Sequence, residues 1–106
     1  MKTIIEKTDL CLPSVKLLGD YWTLRIIDVL SRGESRFCAL ERHLNNINPV
    51  TLTNRLKKLE EAHLVTRSHA TIDKLSVTYR LSDLGFNSLP IIKAYNDFAA
   101  KANLNN

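Results

Sequence analysis

Cysteine occurs only twice in the 106 residues, at Cys11 and Cys38. Two are too few for a disulfide framework, and both are expected as thiols in a reducing compartment. Glycine and proline occur three times each, so the chain offers no flexible linker, and it has neither a low-complexity tract nor an internal repeat. It reads as a single domain over residues 1–106. No apolar run approaches the roughly 20 residues that a bilayer crossing needs. Lys2, Glu6, Lys7 and Asp9 interrupt the first residues before a secretory core can develop, and a cytoplasmic address with no membrane partner is expected. Histidine is scarce as well. His43, His63 and His69 are far apart and match no zinc spacing with the two cysteines. No nucleophile elbow, phosphate-binding glycine loop or helix-borne His-Glu pair is present. No metal, cofactor or catalytic residue is expected, and the chain does not read as an enzyme.

What is present is ordinary in amount and uneven in place. The 44% hydrophobic and 25% charged composition is that of a globular protein. A chain of this length buries about 60 to 68% of its unfolded surface, enough for a core without a covalent or metal staple. The formal charge is +4. Between residues 36 and 80, eight basic residues (Arg36, Arg42, Arg55, Lys57, Lys58, Arg67, Lys74 and Arg80) face four acidic ones, whereas the rest of the chain balances. An excess confined to one segment suits a polyanion-binding face, since cations that neutralise phosphates release counterions. A chance cluster on a solvated face is the plain alternative.

The elements are mostly helical. Gly19 and Gly33 bracket a helix around Asp20–Leu30. It is apolar nearly all round, with Trp22, Ile26, Val29 and Leu30 on one side and Leu24 and Ile27 on another, which predicts a central scaffold. Arg36–Leu44 reads as a short helix with Phe37, Leu40 and Leu44 inward and Cys38 packed as a small hydrophobe. After the turn Asn45-Asn46-Ile47, residues 48–60 form the best-marked helix of the chain. Asn48 can accept from the first free backbone N–H groups, and Pro49 suits the first helical position. Leu52, Leu56 and Leu59 share one face; Val50, Thr51, Asn54, Lys57 and Lys58 take the other, Arg55 lies at the edge and Thr53 nearer the side. This is helix, turn, helix, with the second helix suited to a DNA groove; a solvated amphipathic helix is the competing reading.

Segments 62–68 and 75–81 alternate as strands, making a hairpin directly after that helix. Ser82-Asp83-Leu84-Gly85 opens a further helix that Pro90 should kink or restart. Beyond it Ile91, Ile92, Tyr95, Phe98 and Ala99 form an apolar stripe. Its breadth predicts contact with a second copy of the chain, the alternative being intramolecular core. The expected fold class is α+β, mainly α: a winged helix-turn-helix with a two-stranded wing and N- and C-terminal dimerisation helices.

In this order the elements resemble the HxlR-type winged helix-turn-helix regulators, relatives of the MarR group, over most of residues 13–100. Leu17-Leu18-Gly19-Asp20-Tyr21-Trp22-Thr23 is similar to the family's Leu-x-Gly-(Gly/Asp)-x-Trp-Thr segment, and Gly33-Glu34-Ser35-Arg36-Phe37-Cys38-Ala39-Leu40 to its Gly-x-x-Arg-Phe-x-x-Leu. Residues 47–60 resemble its recognition helix, and Leu64–Arg67 with Val77–Gly85 its wing. The resemblance implies a small homodimeric bacterial transcription factor, whose partners are double-stranded DNA and a second copy of itself; repression is the default reading, and an activator would use the same DNA surface. It carries DNA contacts onto Asn48, Pro49, Thr51, Thr53, Asn54 and Arg55. Val50 stands where a lysine is common, and the wing offers Thr71, Lys74 and Ser76 in place of the usual Pro-x-Val-Glu-Tyr approach. Arg36 and Lys58 join this set, with Arg55 or Lys58 as a contact to guanine or phosphate and Asn54 as a bidentate reader of adenine. Some members sense oxidants or electrophiles through an N-terminal cysteine, which aligns here with Asp9, two residues from Cys11. Cys11, near a helix start before Pro13, is the candidate redox sensor, and an oxidant or small molecule the candidate effector. From another class, the body could serve as a protein-interaction module whose C-terminal helix is the partner surface.

Overall fold

A computed structural model describes residues 10–69 and 77–104. The wing positions Thr71, Lys74 and Ser76 therefore lie outside the described residues. Helix α1 (Leu12–Leu18) carries Pro13 in its first turn and stops at Gly19, whose N–H donates to the Val15 carbonyl at 2.6 Å. Asp20 caps α2 (Tyr21–Leu30), its carboxylate accepting from the Thr23 N–H at 2.9 Å. This helix is the predicted scaffold: Thr23, Ile26, Ile27 and Leu30 are buried, and its neighbours are helices and sheet on several sides. Gly33, at φ +146°, makes the exit turn in a region that disfavours side chains.

The next element departs from the expectation. Ser35–Arg36 is a short strand, β1, and the helix α3 begins only at Phe37 (Phe37–His43). Arg36 is extended, with ψ 163°, because its backbone pairs with the hairpin rather than with the helix. The wing accordingly belongs to a three-stranded antiparallel sheet in the order β1-β3-β2. Cys38 is exposed rather than packed. Leu40 and Leu44 take the buried face of α3, and a residue two positions before Leu40 falls about 200° around the helix from it.

Asn46 adopts the left-handed conformation (φ 70°) in the turn, and Ile47 tucks into the core. Helix α4 (Pro49–Glu61) then starts as the sequence predicts, Asn48 Oδ1 accepting from the Val50 N–H at 2.7 Å. Its end differs from the expectation. Residues 62–64 close the helix rather than opening a strand: His63 is left-handed (φ 66°), and the Leu64 N–H donates to the Leu59 carbonyl at 2.9 Å. Strands β2 (Val65–His69) and β3 (Val77–Leu81) pair with Val65 opposite Leu81 and His69 opposite Val77.

Ser82 ties the base of the hairpin. Its N–H donates to the Leu64 carbonyl, its hydroxyl donates to the His63 carbonyl at 2.6 Å, and it caps α5 (Asp83–Asn87) through the Gly85 N–H. Gly85 is buried directly against the Leu64 carbonyl, where a Cβ would collide. Pro90 restarts the chain as α6 (Leu89–Lys101), as expected. The core gathers Ile26, Ile27, Leu30, Leu40, Leu44, Leu52, Leu56, Leu59 and Val65 at the meeting of α2, α3, α4 and the sheet. Among the described residues no helix is long and apolar enough to cross a membrane.

Candidate nucleic-acid interface

Helix α4 presents two chemically opposite faces. Leu52, Leu56 and Leu59 are buried, and this stripe orients the rest of the helix: Val50, Thr53, Asn54, Lys57 and Lys58 are all exposed. Thr51 and Thr53 exchange the places expected of them, since Thr51 is half-buried and Thr53 faces out. The outward face offers a hydroxyl, an amide and two ammonium groups along about two turns, with the Glu61 carboxylate exposed one turn further on at the C-terminal end of the helix. Asn48 and Pro49, at the N-terminal end of the helix, are exposed as well. Val50 is 66% exposed, a methyl surface at the point where the first turn would meet a groove.

The cations around this helix divide into two kinds. Among the described residues Arg36, Lys57 and Lys58 have no acidic partner. Arg67 on β2 lies 3.7 Å from Glu60, and the Arg80 guanidinium donates to the Thr66 hydroxyl across the hairpin. Arg55 is engaged most closely. Its Nε donates to Asp20 Oδ2 at 2.8 Å and its terminal nitrogen to Oδ1 at 3.3 Å. The guanidinium beside it, with the Thr23 N–H and hydroxyl, holds the Asp20 carboxyl down to about 2 despite the opposing effect of burial. The bond raises Arg55 in turn. Nothing in the sequence around Asp20 signals its bond to a residue 35 positions away.

Away from this face, an apolar groove of about 530 Å³ runs between α1 and α6, with Cys11, Val15, Leu18, Ile91, Tyr95 and Phe98 among its walls. The predicted dimer stripe is split by it. Ile92 packs against the core and Ala99 is half-buried, whereas Ile91, Tyr95 and Phe98 are 40%, 54% and 63% exposed. Cys11, the N-cap of α1, is exposed at this groove. The Ser14 hydroxyl donates to its sulfur at 3.3 Å and, with the Ser14 backbone N–H, lowers the thiol's pKa.

Residues 17–105 match the HxlR-like helix-turn-helix family. The chain belongs to that family of transcriptional regulators. It is 33% identical over 94 residues to the HTH-type transcriptional regulator BH0655 of Halalkalibacterium halodurans, a match covering 88% of this chain and 82% of the relative. The reduced form of the transcriptional regulator YodB from Bacillus subtilis superposes with a TM-score of 0.75 at 28% identity, covering 85% of this chain and 91% of YodB. Quinone-bound YodB gives a TM-score of 0.74 at 28% identity over 84% and 93% of the two chains. The shared architecture makes α3 and α4 the helix-turn-helix of an HxlR-like regulator and β2–β3 its wing.

Proposed function

We propose that this HxlR-like regulator is a homodimeric, cytoplasmic repressor that reads an inverted repeat with α4 in the major groove and the 66–80 hairpin against the flanking minor groove. The observation that carries this reading is the division of α4: three leucines bury one face, so Asn54, Lys58, Thr53 and Val50 must project together from the other. Asn54 has the donor and acceptor that adenine presents in reverse, and Lys58 is a phosphate or guanine contact one turn on. Asn48, Pro49 and Thr51 set the helix start against the backbone, and Arg36 adds a phosphate contact from β1. Thr71, Lys74 and Ser76 serve the wing tip.

Ile91, Tyr95 and Phe98 support assembly through the C-terminal helix, with Ile92 and Ala99 beneath them, because three large apolar side chains in one groove are costly to leave in water. Cys11 is the responsive thiol. An exposed sulfur with a lowered pKa reacts faster with oxidants and electrophiles, and a quinone-bound form exists for the similar YodB. Modification at the groove rim would alter how two copies meet and so the spacing of their recognition helices.

Selection from a random duplex library with the reduced, full-length protein at near-physiological salt tests the reading. Enrichment of an inverted repeat with half-sites about one helical turn apart supports it. Absence of any enriched sequence, with and without oxidant, favours the interaction-module alternative. For the thiol, Cys11→Ser should bind the operator like the wild type and lose its response to diamide or quinone. An unchanged response would assign sensing elsewhere.

A further inference from the structure

We infer that Asp20 is a positioning residue for DNA binding: through its two-point contact with Arg55 it fixes the roll of α4 against α2, and Arg55 serves that orientation rather than the operator. The inference rests on α4 being the groove helix, as proposed above.

The leucine stripe sets how far α4 lies from the core, but a row of branched aliphatic side chains tolerates small rotations about the helix axis. A planar guanidinium laid side-on against a planar carboxylate does not. Arg55 stands on the flank of α4, half-buried, with Nε on Oδ2 at 2.8 Å and the terminal nitrogen on Oδ1 at 3.3 Å. The carboxylate is itself immobilised. Oδ2 also accepts from the N–H and the hydroxyl of Thr23, each at 2.9 Å, and Thr23 is buried in the scaffold helix. Arg55 is thus referenced to the rigid centre of the molecule.

The consequence for reading bases is geometric. Asn54 and Lys58 lie on the outward face beside Arg55. A roll of about 15° carries a side-chain tip 5–6 Å from the axis through about 1.5 Å, enough to break a bidentate contact with a base edge. Donors held by Asp20 are also withdrawn from phosphate, which separates Arg55 from Lys57 and Lys58, for which no acidic partner exists among the described residues.

The experiment compares wild type, Asp20→Asn, Arg55→Gln, Arg55→Lys and the Asp20→Asn/Arg55→Gln double variant. Affinity is measured for the selected operator and for a random duplex across a series of salt concentrations. Asparagine keeps the helix cap, so Asp20→Asn removes chiefly the ion pair and carries the test alone if Arg55→Gln does not fold. Each single variant is expected to weaken operator binding by about fivefold, with the double variant no weaker than either. Arg55→Lys, which retains charge but not the two-point geometry, should fall with Arg55→Gln. Random-duplex affinity and the salt slope should stay at wild-type values. A salt slope reduced by about one in Arg55→Gln, with Asp20→Asn neutral or tighter, would make Arg55 a phosphate contact and overturn the inference. Wild type binding no duplex in a salt-dependent way would instead remove the proposed function itself.

Discussion

Replacing Gly85 with alanine sets two effects of known size against each other. Gly85 sits inside the short helix α5, where alanine is favoured over glycine by about 1 kcal/mol on propensity alone. On an open helix the substitution would therefore stabilise. Here the new methyl meets the Leu64 carbonyl oxygen at a distance no pair of atoms tolerates and comes within 2.9 Å of Leu81 Cδ2. The Leu64 carbonyl cannot retreat freely, because it accepts the Ser82 N–H at 2.9 Å at the base of the hairpin. Overpacking costs about 1–3 kcal/mol, and straining that hydrogen bond adds about 1 kcal/mol. The steric side wins, and Gly85→Ala should lower stability by about 2 kcal/mol net. Urea denaturation followed by circular dichroism reads this as a lower midpoint at unchanged slope. An unchanged or raised midpoint would show that α5 can move away from the hairpin, and that the junction does not fix the wing to the body.

The outward face of α4 predicts that Asn54→Ala costs about 1–3 kcal/mol on the operator and little on random duplex, while Lys58→Ala weakens both alike; equal losses for Asn54→Ala on the two duplexes would deny it a reading role. Asp20, held at about 2 rather than its ordinary 3.8, should contribute stability that is fully present above about pH 5 and lost as pH falls through about 2. Its side chain is 32% exposed, which limits the effect to about 1–2 kcal/mol. The stability difference between wild type and Asp20→Asn should shrink over that window, and a difference constant down to pH 3 would contradict the assignment. Phe98→Glu places a charge in the α1–α6 groove and should yield a monomer in sedimentation velocity with operator affinity reduced at least about tenfold; a dimer of wild-type affinity would place the interface on another surface.

The parts of the fold that announce themselves are those written in a few adjacent residues. Asn48-Pro49 before the leucine stripe fixes the start and facing of α4, and Pro90 fixes the restart at α6. Strand β1 could not be seen, because two residues carry no alternation and Ser35–Arg36 is extended only through its pairing with β3. His63 hid the true end of α4, since left-handed geometry in a non-glycine residue is decided by the closing hydrogen bonds of the helix. The amphipathic stripe of α6 marked an apolar face without saying which neighbour covers each residue; the packing of α2 claims Ile92 and leaves Ile91, Tyr95 and Phe98 outside. The sequence places Arg55 at the edge of α4 among the residues the resemblance assigns to DNA, and nothing local in either segment signals its bond to a carboxylate 35 residues earlier.

Leu18, Gly19 and Asp20 are consecutive. The first two line the groove between α1 and α6, and the third grips Arg55 on α4. The distance from groove wall to recognition helix is thus one peptide bond and one ion pair, with no loop between them to absorb movement. Gly19 packs its backbone closely against the Val15 carbonyl, where a side chain would collide. The end of α1 and helix α4 are therefore joined through the capped first turn of α2, so any displacement of the one would reach the other through Asp20.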